Sequence, residues 1–142
     1  MAFLQAQGYT VPEVNEIAND ILRFGKEEAV VLNGPADLRS RWEAAAAPKG
    51  YYSWREEAWG IMRLTGPRLF DLMAKISPVD LSPSAFPAGR IAQTRVGYVE
   101  AIIWRNDREV IGFDVLFDVA ATAFFATAVA TASAEFNSEV PA

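Results

Sequence analysis

The stretch that decides the fold is GIMRLTGPRLFDLMAKI, residues 60–76. Its first five residues are typical of a β-strand, and Thr65-Gly66-Pro67 is a turn signal that ends the strand. Apolar residues then recur at the i, i+3, i+4, i+7 spacing of one helical face: Leu69, Leu72, Met73 and Ile76. The stretch therefore predicts a strand, a tight turn and an amphipathic helix in direct succession.

A similar order stands earlier in the chain. Residues 27–32 end in a β-branched, apolar run that predicts a strand, and Asn33-Gly34-Pro35 breaks it. Leu38, Trp42 and Ala45 then share a helical face. The likeness of the two units hints at a duplicated building block. Ahead of both, Thr10, Pro12 and Glu13 predict the start of an amphipathic helix over about residues 11–24.

The second half of the chain changes its periodicity. Residues 77–90 carry three prolines and predict an ordered surface loop. Strands are predicted over 91–96, 99–104 and 109–117, and Asp118 is predicted to be the N-cap of a last helix that runs to about Phe136.

These elements predict an α+β fold, in which helices pack on a mostly antiparallel sheet with ferredoxin-like, split β-α-β elements. The length of 142 residues fits a single domain over residues 1–142, because two cores would each be too small to be stable.

The composition excludes several kinds of chemistry. The chain has no Cys and no His, so it offers no thiolate nucleophile, no Cys/His zinc site and no histidine for a covalent flavin link. Its formal net charge is -5 and the signs are interspersed, which argues against nucleic acid as a partner. The serines lie in no nucleophile motif, so no catalytic residue is predicted.

The ends of the chain suggest a location. The first six residues lack the features of a signal peptide, so the cytoplasm is the expected compartment and no membrane partner is expected. Residues 119–134 are rich in Ala, Thr and Val but shorter than the ~20 apolar residues of a membrane span. We interpret them as a buried helix of the fold.

Residues 51–59 are dense in aromatic side chains. Such a segment is either a core strand or its cover, or a patch that faces a partner. The candidate interface residues are Tyr51, Tyr52, Trp54, Trp59 and Phe86. Phe86 lies in the loop of residues 80–89, where we expect its ring to be buried under the sheet or against a partner.

Arginines also gather in the second half of the chain: Arg63, Arg68, Arg90, Arg95, Arg105 and Arg108. Two of them could form a carboxylate-binding pocket for folate or an amino acid. The stronger interpretation is that they pair with carboxylates close by in sequence, such as Asp71 and Asp107, because surface and interface arginines commonly do so.

Residues 64–75 and 79–89 resemble the core of the gamma-subunit family of heterotetrameric sarcosine oxidases, in which a strand ending in Gly-Pro leads to a short helix, an Asp-Leu step and an Ala-Phe-Pro-x-Gly loop. Gln93-Thr94-Arg95-Val96, residues 100–105 and residues 113–116 continue the resemblance in the same order. It covers about residues 58–136, and residues 1–57 match much less well.

The resemblance implies a fold similar to the folate-binding module of glycine-cleavage T-proteins. It also implies a non-catalytic, structural subunit with no cofactor of its own, partnered by alpha, beta and delta subunits that hold FAD, FMN, NAD, zinc and tetrahydrofolate. Such an assembly demethylates N-methyl amines such as sarcosine by flavin oxidation. A similar subunit of an N-methylglutamate dehydrogenase, and a stand-alone folate-binding aminomethyltransferase-like domain, are the alternatives.

Overall fold

The computed structural model describes residues 1–45 and 50–137. These residues divide into two compact units, one from Met1 to Arg55 and one beginning at Glu56. That the whole chain is one domain stays a prediction.

The first unit contains two short helices and three short strands. They are α1 (Ala2–Ala6), β1 (Glu16–Ala18), β2 (Ile21–Arg23), β3 (Ala29–Val31) and α2 (Leu38–Ala44). The strands form an antiparallel sheet in the order β1-β2-β3. Its buried apolar residues are Leu4, Ile21, Leu22 and Leu38.

The predicted helix over residues 11–24 is wrong, because the segment forms the β1-β2 hairpin. Asn19 and Asp20 connect the two strands with φ values of 48° and 61°, and Ala18 lies opposite Ile21. Positive φ at both central residues is typical of the type I′ turn of a two-residue hairpin. A right-handed helix cannot continue through such residues, and Asn15, with φ of 66°, breaks it as well.

One arginine fastens the loops around this sheet. The Arg23 guanidinium donates to the carbonyl oxygens of Pro12 at 3.1 Å, Lys26 at 2.9 Å and Gly25 at 3.4 Å. The loops on both sides of the β1-β2 hairpin are therefore held through one side chain.

The second unit contains the longer elements. They are β4 (Trp59–Thr65), α3 (Leu69–Ile76), β5 (Ile91–Val96), β6 (Val99–Asn106), β7 (Gly112–Asp118), a 3₁₀ turn at Val119–Ala121 and α4 (Thr122–Asn137). The strands form an antiparallel sheet in the order β4-β7-β6-β5. The α+β class and the antiparallel pairing are confirmed.

The strand order differs from a split β-α-β element. In that motif two parallel strands flank the helix with one strand between them, whereas β4 and β5 flank α3 in sequence and lie at opposite edges of this sheet. A two-residue turn joins β5 to β6 and a short loop joins β6 to β7, so these strands form a meander and β4 pairs with the free edge of β7.

Phenylalanine rings fill the core of the second unit. Phe113 on β7 lies 5.9 Å from the ring of Phe70 and 6.2 Å from that of Phe86. Phe86 is only 6% exposed, so its ring is buried in the core of its own unit, which is the first of the two predicted placements. Phe125 of α4 packs against Phe117 of β7, with ring centres 4.8 Å apart and the rings tilted by 56°.

Helix α4 is not the buried helix that the composition suggested. Asp118, predicted to be the N-cap of the last helix, instead caps the 3₁₀ turn that leads into α4, accepting a 2.9 Å hydrogen bond from the backbone amide of Ala120. Of the 16 residues of α4, however, only Phe125 is buried, because the sheet covers one side of the helix. The continuous segment Val119–Asn137 is long and apolar enough, by length and composition alone, to cross a membrane.

Candidate interaction surfaces

The first candidate surface is an aromatic cluster in the first unit. The rings of Phe3 on α1 and Trp42 on α2 meet edge to face at 4.9 Å, and Tyr52 lies 6.1 Å from Trp42. Burial raises the pKa of the Tyr52 phenol, with a smaller opposing effect from Arg39. Tyr52 is therefore anchored by its neighbours.

The residues next to Tyr52 are not anchored in this way. Tyr51 is fully exposed and Trp54 is 49% exposed, in a segment without regular secondary structure. Large exposed aromatic side chains are enriched at protein interfaces. An interface role for Tyr51, Tyr52 and Trp54 stays a prediction, which exposure favours for Tyr51 and Trp54.

The remaining two candidate interface residues, Trp59 and Phe86, lie in the second unit. Trp59 is half-buried at the start of β4, in the second unit, where it pairs with Asp118 of β7. Phe86 is a core residue whose ring contributes to folding of the second unit and is not presented at its surface.

The second candidate surface lies on α4 and was missed by the sequence reasoning. With 100° between successive residues, the side of the helix opposite Phe125 carries Ala123, Thr127, Ala130 and Ala134. All four are exposed, and Phe124 at the border of this side is 57% exposed. We call these five residues the outer face of α4. The near absence of charge along the helix was the signal that could have found it.

The turn between β5 and β6 lies against α4. Gly97 has φ of +53°, and a Cβ there would be 3.2 Å from the Phe125 ring and 3.6 Å from the Cβ of Ala128. The next residue, Tyr98, has φ of 70° and is 86% exposed. A large aromatic side chain is thus displayed on a tight turn that packs beside the helix.

The far end of α4 is fastened to α3. The Phe136 ring lies 5.0 Å from the Arg68 guanidinium and 5.9 Å from the Lys75 ammonium, both at cation–π distance. Lys75 also pairs with Glu135 and donates to the carbonyl of Ala132 at 3.1 Å. Both ends of α4 are therefore held, the first by Phe125 and the second by this cluster.

The arginines of the second half are largely engaged with the chain's own carboxylates. The pairs are Arg63 with Asp114, Arg68 with Asp71, Arg95 with Glu100 and Arg105 with Asp107. This pairing supports the interpretation from sequence and does not favour a carboxylate-binding pocket. Within residues 1–45 and 50–137, no group of three or more Asp or Glu side chains is placed to hold a metal ion.

Of these pairs, the one between Arg63 and Asp114 contains the most buried carboxylate. The Asp114 carboxylate is 3.3 Å from the Arg63 guanidinium and accepts a 2.7 Å hydrogen bond from the side-chain amide (Nδ2) of Asn106. Arg63 also donates to the carbonyl oxygens of Asn106 and Val110, so it closes the loop between β6 and β7. The network has a structural role, because its charged and polar groups are paired with one another.

Comparison with known proteins finds a similar fold among solved structures. No protein-family model and no curated protein matches the sequence. Among solved structures, the chain is similar to a chain of the heterotetrameric sarcosine oxidase from Corynebacterium sp. U-96, solved in complex with pyrrole 2-carboxylate. The TM-score is 0.83 and the identity is 23%, over 99% of this chain and 75% of that chain. The fold is therefore shared along nearly the whole length.

Proposed function

We propose that this chain is a small, non-catalytic subunit of a sarcosine oxidase-like flavoenzyme assembly, corresponding to the gamma subunit. The observation that carries the proposal is the shared fold with a chain of a heterotetrameric sarcosine oxidase over 99% of the length. The Gly-Pro, Asp-Leu and Phe-Pro-x-Gly motifs of residues 64–89 support it, because chance rarely reproduces order and spacing together.

The chemistry of the chain is consistent with a structural role. Without Cys or His it supplies neither zinc ligands of that type nor a histidyl flavin link. Under this proposal the alpha, beta and delta partners hold FAD, FMN, NAD, zinc and tetrahydrofolate, and the flavin chemistry belongs to them. The exposed aromatic residues Tyr51 and Trp54 and the outer face of α4 are surfaces that such an assembly would cover.

Affinity purification of the tagged chain from its native source tests the proposal. We expect mass spectrometry to identify co-purifying flavoprotein chains, and we expect the eluate to show a flavin absorbance spectrum and to oxidise sarcosine. A chain that elutes alone, monomeric and well folded, with no flavin, would contradict the proposal. Turnover of N-methylglutamate in place of sarcosine would move the assignment to the dehydrogenase alternative.

The stand-alone folate-binding alternative has its own test. Titration of the purified chain with tetrahydrofolate in a calorimeter should give no binding heat if the chain is a structural subunit. A saturable heat at one site per chain would favour the folate-binding domain. The paired state of the arginines argues against that outcome, because few guanidiniums are left to hold a folate carboxylate.

A further inference from the structure

Helix α4 is apolar on nearly every side. Glu135 is the only charged residue from Thr122 to Asn137, and Glu135 pairs with Lys75 of α3. A helix that is apolar all round is ordinarily buried. Here the chain itself buries only the side that carries Phe125, so the outer face is apolar surface for which the fold provides no cover among the described residues.

Hydroxyl groups of α4 donate hydrogen bonds to backbone carbonyls of the same helix. Thr127 donates to the carbonyl of Ala123 at 2.9 Å, and Ser133 donates to that of Ala130 at 3.1 Å. Because the Thr127 hydroxyl already donates its hydrogen within the helix, covering this side chain leaves no donor without a partner. The outer face can be desolvated at low cost.

We propose that the outer face of α4, together with Tyr98, is a docking surface for another chain of the assembly. This inference rests on the proposed function. The partner presents a concave, uncharged, apolar groove, because a charge buried against this face would find no counter-charge on it. The small side chains of Ala123, Thr127 and Ala130 let the groove approach the helix backbone closely, and Phe124 and Tyr98 are the large side chains that it must accommodate.

The available area argues against a second copy of this chain as the occupant. Half the surface of a 16-residue helix is about 400 Å², against about 800 Å² per partner in a stable interface. Two convex helices that touch along one line bury less than this, whereas a concave partner covers the whole face and continues to Tyr98. Each copy also has a formal net charge of -5, which opposes self-association.

The packing of α4 also argues against a membrane. Phe125 packs against Phe117 of the sheet, and Phe136 contacts Lys75 of α3 and Arg68 just before it. A helix that crossed a bilayer would lose these contacts and expose the core below it.

A single introduced cysteine tests the proposal, because the chain has none of its own. Ala130→Cys places a thiol on the outer face, and Ala74→Cys places one on the exposed side of α3 as the matched control. Maleimide labelling is measured on the free chain, on the free chain with phosphatidylcholine–phosphatidylglycerol vesicles, and on the flavin-containing assembly purified through a tag.

We expect assembly to slow labelling of the Ala130→Cys variant by about tenfold or more and to change labelling of the Ala74→Cys variant much less. Equal labelling of the outer face in the free chain and in a flavin-containing assembly would overturn the docking surface while leaving the proposed function intact. Protection that appears in the concentrated free chain, with a dimer in sedimentation, would assign the face to a second copy. Protection by vesicles would assign it to a membrane, and failure to recover any flavoprotein would overturn both proposals.

A charged side chain gives an independent readout. Ala130→Arg is expected to abolish recovery of the flavoprotein partners while leaving the melting temperature of the free chain unchanged, since Arg is well tolerated on an exposed helix surface. Ala74→Arg is expected to assemble normally. Normal assembly of the Ala130→Arg variant would overturn the docking surface.

Discussion

The first unit is built from strands of three residues, whereas the second unit is built from strands of six to eight residues. The difference changes what holds each unit together. In the second unit β7 is paired on both sides and its residues from Gly112 to Phe117 are buried, so packing dominates. In the first unit a few apolar residues are supported by turn conformations and by the hydrogen bonds of Arg23. Mutations should therefore destabilise the second unit mainly by leaving cavities in its core, and the first unit mainly by straining the backbone of its turns.

The largest effect is expected in the phenylalanine core of the second unit. Phe125→Ala should lower the free energy of unfolding by ~3–5 kcal/mol, because it removes a fully buried ring and leaves a cavity between α4 and β7. Phe86→Ala should act in the same way. The neighbouring change Phe124→Ala should alter stability by less than about 0.5 kcal/mol, because that ring is exposed. Urea unfolding of the three variants measures this, and a similar loss for Phe124→Ala would show that packing does not set the difference.

A smaller effect is expected from the enclosed ion pair. Asp114→Ala removes a carboxylate that is 10% exposed and leaves Arg63 and Asn106 without their partner, so we expect a loss of about 1–3 kcal/mol. Glu100→Gln breaks the pair with Arg95, in which both side chains are at least 70% exposed, and should change stability much less because water screens the pair. Thermal unfolding of the two variants measures their losses of stability. Equal losses would mean that burial does not decide the strength of these pairs.

In the first unit the decisive position is a turn residue. Asp20→Val places a β-branched side chain at φ of 61° and should destabilise the β1-β2 hairpin by about 1–2 kcal/mol. Asp20→Gly also removes the carboxylate but fits the turn, so it should be close to neutral. Hydrogen exchange of the full chain should show faster exchange in β1 to β3 for the valine variant, with β6 and β7 unchanged. Equally faster exchange in β6 and β7 would show that the effect of the substitution is not confined to the β1-β2 hairpin and its sheet.

The smallest effect concerns an exposed carboxylate in the loop of the second unit. The backbone amide of Ser82 donates to Asp80 at 3.0 Å, and this hydrogen bond, assisted by the Ser82 side chain, lowers the pKa of Asp80 below its usual value of 3.8. A lowered pKa in the folded state adds stability above the pKa of the unfolded chain, and this stability is lost as the pH falls through the folded value. An NMR titration should show the lowered pKa, and Ser82→Ala should retain most of the shift. A pKa at or above 3.8 would show that the loop turn does not form.

Sequence reasoning succeeded where elements are long. The strand, turn and helix of residues 60–76 were predicted from sequence and appear as β4 and α3, because several residues repeat each period and the Gly-Pro turn separates them. It failed over residues 11–24, where Ile17 and Ile21 are four residues apart as on a helix. That spacing arises because a two-residue turn separates two three-residue strands. The adjacent Asn19 and Asp20 were the sequence signal for a turn, because both residue types tolerate the positive φ that they adopt here.

The candidate surfaces were predictable only in part. An aromatic run such as residues 51–59 can be either core or surface, and the structure shows Tyr51 exposed and Trp59 half-buried within the same run. Burial of the Phe86 ring under the sheet was one of its two predicted placements, but its ring neighbour Phe113 is distant in sequence and no local pattern identifies it. The exposure of α4 depends on how much of the helix surface one sheet can cover. The periodicity of apolar residues in the sequence gives no information on that.

The position of β7 at the centre of its sheet has a consequence for how the chain acquires its structure during synthesis. β5, β6 and β7 are joined by short turns, so this meander can form early by local contacts. β4 is made before them, yet its partner is β7, with Trp59 opposite Asp118 and Thr65 opposite Gly112. Until the ribosome has released β7, both edges of β4 are unpaired and open to pairing with other chains. We expect β4 to be the segment that most needs protection in the nascent protein.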